Sequence, residues 1–320
     1  MTLSRGNLEN LMQTDDLEAQ LIRALQEDGR ASIRSLAESL GQTRATIATR
    51  LRTMIGDGTV RIVAAVDPAL LGQHVIAHVS IRTHGPAADV ADQLRGRPET
   101  VFVSAVGGRH DIVIEVWTGS MPELHAVLAD VRTMAGVTEI DTLVYTAVEK
   151  GFFVSEFRGE ADIDELDAAL IDRLQHDGRA TFRELGHVVR LSPSAVATRV
   201  QRLIDGGVIK ISAVEARGLT HRQLSMGIGL NVSHGDDEVI SALRAMGSVD
   251  FAVRTLGRFD VVATLVEPTA GALYASLERL RALPGVTAAE AWLHLAVLKE
   301  DYARTLGATR GTATRRRRAR

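Results

Sequence analysis

One internal repeat constrains this chain more than any other feature of its sequence. A shift of 149 residues aligns the chain with itself without a gap, and roughly 36 of 130 positions are then identical. QEDGRASIRSL, beginning at Gln26, falls on QHDGRATFREL, beginning at Gln175. A period this long is typical of a duplicated domain pair rather than of a solenoid. The sequence therefore predicts two tandem copies, which a length of 320 residues accommodates.

The first part of each copy has the spacing of three short helices. Apolar residues recur at helical intervals over 17–25 and 33–40 in copy one. In copy two, Ser192 is a suitable N-cap, Pro193 occupies the first helical position, and Gly206-Gly207 ends the third helix. The VIKI that follows is predicted to be a short wing strand. This pattern indicates a winged helix-turn-helix.

The second part of each copy has the order strand, helix, strand, strand, helix, strand, which is the βαββαβ ferredoxin-like arrangement. The fold class is therefore α+β, with two tandem units, each a winged helix-turn-helix followed by a ferredoxin-like domain. Because helices cover only one face of such a sheet, we expect its other face to pair with a second sheet, in a homo-oligomer or in an internal dimer. The predicted elements are 74–82, 87–95, 101–106, 112–117, 122–134 and 140–148 in copy one, and 224–232, 236–246, 251–256, 261–266, 270–282 and 289–297 in copy two.

The predicted domain boundaries follow from these patterns. Helix-turn-helix domains are expected over 16–63 and 163–212, ferredoxin-like ligand-binding and oligomerisation domains over 72–150 and 222–302, and a linker over 151–162. The net charge of −3 becomes −9 without the six arginines of 310–320. Residues 303–320 are therefore predicted to be a basic tail, either a disordered terminus or a segment that touches phosphates.

Composition excludes several classes of site. The chain has no cysteine, which excludes disulfides, thiolate zinc sites, iron–sulfur clusters and cysteine nucleophiles. No stretch approaches the ~18 apolar residues of a membrane helix, and the first residues lack the pattern of a signal peptide. We expect a cytoplasmic protein without a metal or another cofactor.

The third helix of each copy carries the candidate DNA contacts. The windows 28–62 and 177–211 each hold six basic and three acidic residues, within a body that is acidic overall. Excess positive charge on such a helix suits a surface that faces phosphates and base edges. The alternative is a helical hairpin whose arginines are merely solvated. The candidate DNA-binding residues are Arg44, Thr46, Thr49, Arg50, Ser192, Ser194, Thr198, Arg199 and Arg202.

The chain resembles the Lrp/AsnC (feast/famine) family of transcription regulators. The resemblance rests on LDAALIDRLQHDGRATFRELGHVVRLSPSAVATRVQRLIDGGVIKISA, on GRFDVVATL and on PGVTAAEAWLHLAVLK, all in copy two. It implies a regulator that binds double-stranded DNA and a small molecule, usually an amino acid. Copy one departs from the pattern, with Thr43-Arg44 where copy two has Ser192-Pro193. The duplication implies that one polypeptide supplies both halves of what is normally a homodimer.

The resemblance places the small-molecule site near the turn between the second and third strands of each ferredoxin-like domain. Glycine N–H groups there suit a carboxylate, arginine adds positive charge, and aspartate suits an ammonium group. The alternative is an ordinary hairpin turn whose residues serve the fold. The candidate effector-binding residues are Gly108, Arg109, Asp111, Gly257, Arg258 and Asp260.

Two other functions stay open at this point. Related two-domain proteins decarboxylate sirohaem, and a resemblance to them implies a porphyrin-binding cluster of histidine and arginine around the second strand of the ferredoxin-like domain. The second strands here, VFVSAVGG and FAVRTLGR, carry no histidine. The chain also has no HExxH, GxSxG, Walker A or GxGxxG motif. Only His110 and His294 are expected near the small-molecule site, so the sequence predicts a protein that is not an enzyme. A ligand sensor that does not bind DNA is the third possibility, and the recognition-helix arginines weigh against it.

Overall fold

The computed structural model describes residues 17–151, 163–215, 223–233 and 236–302. These residues fold into two compact units, one from the helical parts of both halves of the chain and one from both strand-rich parts. The predicted basic tail and the predicted linker beyond residue 151 lie outside the described residues. None of the helices described combines the length and the apolar character needed to cross a membrane.

The order of elements in the first half of the chain recurs in the second half. In chain order the elements are α1 (residues 17–27), α2 (Ile33–Ser39), α3 (Arg44–Gly56), β1 (Val60–Val66), a 3-10 turn (Pro68–Leu71), β2 (Val75–Thr83), α4 (Ala88–Arg95), β3 (Thr100–Gly107), β4 (Ile112–Thr118), α5 (Met121–Thr133), β5 (Val137–Lys150), α6 (Glu165–His176), α7 (Phe182–Val189), α8 (Pro193–Asp205), β6 (Ile209–Glu215), β7 (Leu224–Val232), α9 (Asp236–Ala245), β8 (Val249–Leu256), β9 (Val261–Glu267), α10 (Ala270–Arg281) and β10 (Val286–Glu300).

The helical unit consists of head one (residues 17–66) and head two (residues 163–215). Each head packs three helices around a small apolar core whose members recur at the 149-residue shift. The buried side chains are Leu21, Leu25, Leu36, Ile47 and Leu51 in head one, and Leu170, Leu174, Leu185, Val196 and Val200 in head two. Because every core position has an apolar counterpart, the helical spacing seen in the sequence is the spacing that builds both heads.

Strands β1 and β6 join the two heads. They form an antiparallel two-stranded sheet in which Val63 lies opposite Ser212. The glycine that ends the first helix of each head then donates to the strand of the other head, from Gly29 N to Ile211 O (3.0 Å) and from Gly178 N to Ile62 O (2.7 Å). These reciprocal bonds relate the heads by a pseudo-twofold axis.

An arginine from each head extends this reciprocal contact. Arg30 donates to the carbonyl oxygens of Gly178 (2.7 Å) and Ala180 (3.1 Å). Arg179 donates to the carbonyl oxygens of Gly29 (2.8 Å) and Ala31 (3.0 Å). Burial lowers the pKa of both guanidinium groups. The DGR turn that the sequence repeats is therefore part of the interface between the heads.

The strand-rich unit is a closed eight-stranded barrel in the order β10-β3-β4-β2-β5-β8-β9-β7. Alternate residues of its strands pack against the helices outside, among them Ala77, Val79 and Ile81 of β2. The residues between them, His78 and Ser80, therefore face the interior. The sheets of the two halves thus cover each other within one chain, which is the predicted internal dimer. Pairing between chains is not needed to cover them, and a homo-oligomer stays a prediction.

The predicted bounds of the last strand in each half need correction. The last strand of each ferredoxin-like domain was expected over 140–148 and 289–297, but β5 and β10 have 14 and 15 residues. They are longer because each pairs with its own half through one end and with the other half through the other, β5 with β2 and β8, and β10 with β7 and β3. The predicted wing strand is confirmed as β6, and it pairs with β1 of the other head.

Candidate DNA interface and ligand site

The recognition helices α3 and α8 begin at capped and exposed ends. The Thr43 hydroxyl accepts from Thr46 N (3.1 Å), and the Ser192 hydroxyl accepts from Ala195 N (3.3 Å). The predicted DNA contacts divide by exposure. Thr46, Arg50 and Arg199 are half-buried, whereas the exposed ones are Arg44, Thr49, Ser192, Ser194, Thr198 and Arg202. The exposed set lies on the side of each helix opposite its buried stripe, and this is the side that can contact a DNA groove.

Two of the predicted DNA contacts form ion pairs between helices of their own head. Arg50 of α3 pairs with Glu18 of α1 (3.1 Å), and Arg199 of α8 pairs with Asp167 of α6 (2.9 Å), at positions related by the 149-residue shift. Asp167 is fully buried and also pairs with Arg202. Retention of this arginine in both halves therefore has a structural cause. Contact of Arg50, Arg199 and Arg202 with DNA stays a prediction.

The start of α6 reinforces the ion pairs of head two. Asp164 caps the helix by accepting from Asp167 N (2.8 Å), and its carboxylate also accepts from Arg199 (2.8 Å). The hydrogen bond from the Asp167 backbone is the main cause of the lowered pKa of Asp164, and Arg199 adds to it. Both carboxylates raise the pKa of Arg199. The recognition helix is thus locked to α6 before any DNA is present.

The glycines and aspartates of the two predicted effector turns have structural roles. At Gly257 (φ +145°) a Cβ would lie 2.6 Å from Leu143 Cδ2, and at Gly108 (φ +152°) it would lie 3.3 Å from Trp292 Cβ. Each turn therefore packs against the last strand of the opposite half. The Asp111 carboxylate accepts from Thr83 N (2.7 Å), and the Asp260 carboxylate accepts from Val232 N (2.8 Å). Their binding to an ammonium group stays a prediction.

The arginines of the two turns differ in their surroundings. Arg109 is about half exposed and pairs with one carboxylate, Glu139 (3.0 Å). Arg258 is less exposed and is held between Asp141 (2.6 Å) and Glu290 (2.6 Å), with its guanidinium 4.2 Å from the centre of the Phe259 ring. The turn of the first half is therefore the one whose arginine can exchange its partner at lower cost.

The barrel interior holds a histidine that sequence reasoning missed. His78 is buried, bonds the Ser80 hydroxyl (3.2 Å) and lies 5.4 Å from the Trp292 ring. Its burial lowers its pKa to about 4, with smaller contributions from His110 and Arg258. His78 interrupts the apolar run VIAHVSIRT at a position whose side chain points into the barrel. The alternation of apolar and polar residues in this run is the sequence signal that could have predicted a buried His78.

The two histidines expected near the ligand site are also buried. His110, in the turn of the first half, has no hydrogen-bond partner for Nε2 among the described residues. His294, on β10, bonds the Ser104 hydroxyl (2.9 Å). Nearby, the indole nitrogen of Trp292 is buried without a partner in the part of the chain that the structure describes. The strand-rich unit thus buries several polar side chains, and His110 Nε2 and Trp292 Nε1 are among the buried polar atoms that have no partner in the described residues.

Family models and relatives agree with this architecture. A model of winged helix-turn-helix DNA-binding domains matches residues 14–61, the AsnC-type helix-turn-helix model matches 163–204, and the Lrp/AsnC ligand binding domain matches 74–150. The HTH-type transcriptional regulator FL11 of Pyrococcus furiosus is 30% identical over 138 residues, which are 42% of this chain and 91% of that relative. LysM of Sulfurisphaera tokodaii, a regulator of the same type, is 22% identical over 137 residues, 43% of this chain and 98% of the relative.

A solved structure is similar over nearly the whole chain. The siroheme decarboxylase NirDL has a TM-score of 0.60 and 14% identity, covering 91% of this chain and 94% of that one. At this identity the likeness concerns the fold alone. The sequence relatives, by contrast, are named as HTH-type transcriptional regulators. The chain belongs to the Lrp/AsnC family of transcriptional regulators.

Proposed function

We propose that this chain is a sequence-specific DNA-binding transcription regulator made of two tandem helix-turn-helix and ligand-binding units, and that it responds to an amino acid or a similar small molecule. The reciprocal pairing of the two heads carries the proposal. A dimeric helix-turn-helix protein reads two half-sites through heads related by a twofold axis. Here β1 and β6, with Arg30 and Arg179, supply that relation within one polypeptide.

The recognition helices α3 and α8 would each enter a major groove. Their exposed N-terminal residues are the ones that reach base edges in this motif, and arginine, serine and threonine can contact bases or phosphates. Half-sites would lie about 10 base pairs apart, the spacing at which successive major grooves face the same side of DNA.

The proposed ligand site is the turn of the first half, around Arg109. A free amino acid carries a carboxylate and an ammonium group, and the Arg109–Glu139 pair offers one partner for each. The unsatisfied Nε2 of His110 lies in the same turn. Gly108 and Asp111 would shape this turn, and Gly257, Arg258 and Asp260 would shape the second one.

A gel-shift titration tests DNA binding, using DNA from upstream of the protein's own coding sequence. The variant Ala45→Glu/Ser194→Glu places a negative charge at equivalent exposed positions in the first turn of α3 and α8. Acidic residues there favour the helix but repel phosphates, so the heads should stay folded while binding is lost. Tyr274→Glu, at an exposed position of α10 in the strand-rich unit, is the control. Retardation that survives the double variant would sink the proposal.

A matched pair of barrel variants tests the ligand site. Thermal unfolding is measured with each of the twenty amino acids, for wild type, Arg109→Gln and Arg258→Gln. We expect one amino acid to raise the melting temperature of wild type and to shift its DNA affinity. Arg109→Gln should abolish both responses, and Arg258→Gln should keep the shift in affinity. Equal losses in the two variants would contradict a site at the first turn.

A second candidate is an enzyme or carrier that binds an iron tetrapyrrole in the barrel. The likeness to NirDL over 91% of the chain and the three buried histidines favour it. An absorbance titration with an iron porphyrin, on wild type and on His78→Ala, tests this candidate. A Soret shift that depends on His78, together with no DNA retardation by wild type, would replace the regulator by this function.

A further inference from the structure

A basic groove distinguishes head two from head one. Arg183, His187 and Arg190 line a concavity of about 300 Å³ beside Pro193, the first residue of α8. All three basic side chains are exposed. Gly186 forms the floor, where a Cβ would lie 2.6 Å from Leu191 O, so the turn between α7 and α8 comes very close to α7. The groove therefore opens beside the end of the recognition helix that enters DNA in this motif.

The backbone of Arg190 is the strongest sign that this groove has a use. Arg190 adopts φ +55° and is the one non-glycine residue with positive φ in the part of the chain that the structure describes. The equivalent residue of head one is Gly41, at φ +63°. Glycine adopts this conformation without strain, whereas an arginine does so at a cost. In head two the backbone is therefore strained at Arg190, and the side chain of this residue adds a positive charge to the groove.

Head one lacks the groove's chemistry at the same positions. Its Arg34, equivalent to Arg183, pairs with Glu38 (2.8 Å), which stands where head two has His187. Gly41 replaces the third basic residue. Head one therefore presents one arginine, already paired with a carboxylate, where head two presents three basic side chains. Among the described residues, no ion pair joins Arg183 or Arg190 to a carboxylate, although Arg183 interacts electrostatically with Glu184.

We propose that the groove of head two binds a DNA backbone phosphate, so that head two grips DNA more strongly than head one and the operator has a strong and a weak half-site. This inference rests on the proposed DNA-binding function. A phosphate fits because its oxygens accept several charge-assisted hydrogen bonds, and Arg183, His187 and Arg190 all line this one groove. In helix-turn-helix proteins the first helix of the motif crosses the DNA backbone, and α7 is that helix here.

Transplanting the residues of head one into head two tests the inference. The variant His187→Glu/Arg190→Gly is compared with wild type in gel shifts on operator DNA and on random-sequence DNA at 50 to 200 mM salt. Loss of one phosphate contact should lower the slope of log affinity against log salt by about 1. We expect weaker binding of both DNAs in the same proportion, because a phosphate contact does not read sequence.

A second pair of variants compares the heads directly. Arg183→Ala and Arg34→Ala remove equivalent side chains, and we expect Arg183→Ala to lower the salt slope at least twice as much. Thermal unfolding checks the fold, and Arg190→Gly should leave the melting temperature unchanged or raise it because glycine relieves the positive φ.

The outcomes separate the inference from the function it rests on. Wild type that binds DNA, with a transplant variant of unchanged slope and affinity, overturns the inference alone. Equal effects of Arg34→Ala and Arg183→Ala do the same. Wild type that retards no DNA overturns the proposed function and the inference together.

Discussion

Arg50 meets Glu18 in head one, and Arg199 meets Asp167 at the equivalent positions of head two. The same repetition holds for Arg30 and Arg179 at the interface between the heads, and for the backbone bonds of Asp111 and Asp260. Each of these repeated contacts builds the fold. Retention of a polar residue in both halves of this chain is therefore evidence of a structural role.

The two halves differ at positions that could contact a ligand or DNA. Inside the barrel, β2 carries His78 where β7 has Gly227, and the Trp292 indole lies directly over that glycine, since a Cβ there would meet its ring nitrogen at 2.1 Å. On the heads, Arg190 replaces Gly41. The difference teaches that divergence between the halves adds candidate functional positions, such as His78 and Arg190, to the retained Arg109, which differs from Arg258 in its surroundings.

The largest expected effect tests the symmetry of the head interface. Removing Arg30 or Arg179 breaks two hydrogen bonds from a charged donor, so each alanine variant should cost about 2 kcal/mol of unfolding free energy and the double variant about 4. Urea unfolding followed by far-UV circular dichroism measures this loss. A single variant that costs several times more than its counterpart would break the symmetry.

The second effect is a pH dependence that arises from His78 in the first half. His78 has a folded-state pKa of about 4 against an ordinary 6.5, so the folded barrel disfavours its protonation. The free energy of unfolding is therefore highest above pH 6.5, where His78 is neutral in both states. It falls by about 3 kcal/mol in all as the pH falls towards 4, because the unfolded chain takes up a proton that the folded barrel disfavours. Unfolding followed by tryptophan fluorescence should show this loss in wild type. His78→Gln should be flatter over this range, and an identical pH profile would contradict the assignment.

The third effect compares the two turns of the barrel. Gly257→Ala should cost about 3 kcal/mol, because its Cβ would meet Leu143 and lie 3.0 Å from Thr142 O at a strongly positive φ. Gly108→Ala meets only a 3.3 Å contact besides the strained φ and should cost about 2 kcal/mol. Thermal unfolding ranks the two variants, and the reverse order would show that the turn of the first half is the tighter one.

The smallest effect separates the two heads. Arg199→Ala leaves the buried Asp167 with Arg202 as its remaining arginine partner and should cost about 2 kcal/mol. Arg50→Ala should cost about 1 kcal/mol or less, because Glu18 is partly exposed and can be solvated. Differential scanning calorimetry of the two variants tests this order. Equal losses of unfolding free energy would show that the two ion pairs stabilise their heads equally.

Much of the fold was predictable from the sequence. Caps such as Ser192, glycine stops and apolar spacing gave the elements to within a few residues, because these signals are local. The long ends of β5 and β10 were not predictable in this way, since they pair with strands about 110 and 190 residues away along the chain. Nothing local distinguishes a strand that ends from one that continues into another sheet.

The candidate sites were less predictable than the fold. An arginine on a recognition helix has the same sequence signal whether it meets DNA or a carboxylate on the preceding helix, and Arg199 contacts two such carboxylates in this structure. The basic groove was equally hidden, because its residues come from α7 and from the turn, outside the recognition helix. Only spatial contacts separate these cases.

The position of β10 next to β3 has a consequence for the newborn chain. Strand β3 finds one of its two neighbours only in residues 293–300, which are synthesised about 190 residues after β3 itself. Until translation reaches that point, a half-made protein carries an unpaired strand edge, which invites pairing with another chain. Completion of the barrel therefore waits for the synthesis of residues 293–300, and a message interrupted before them leaves a product prone to aggregate.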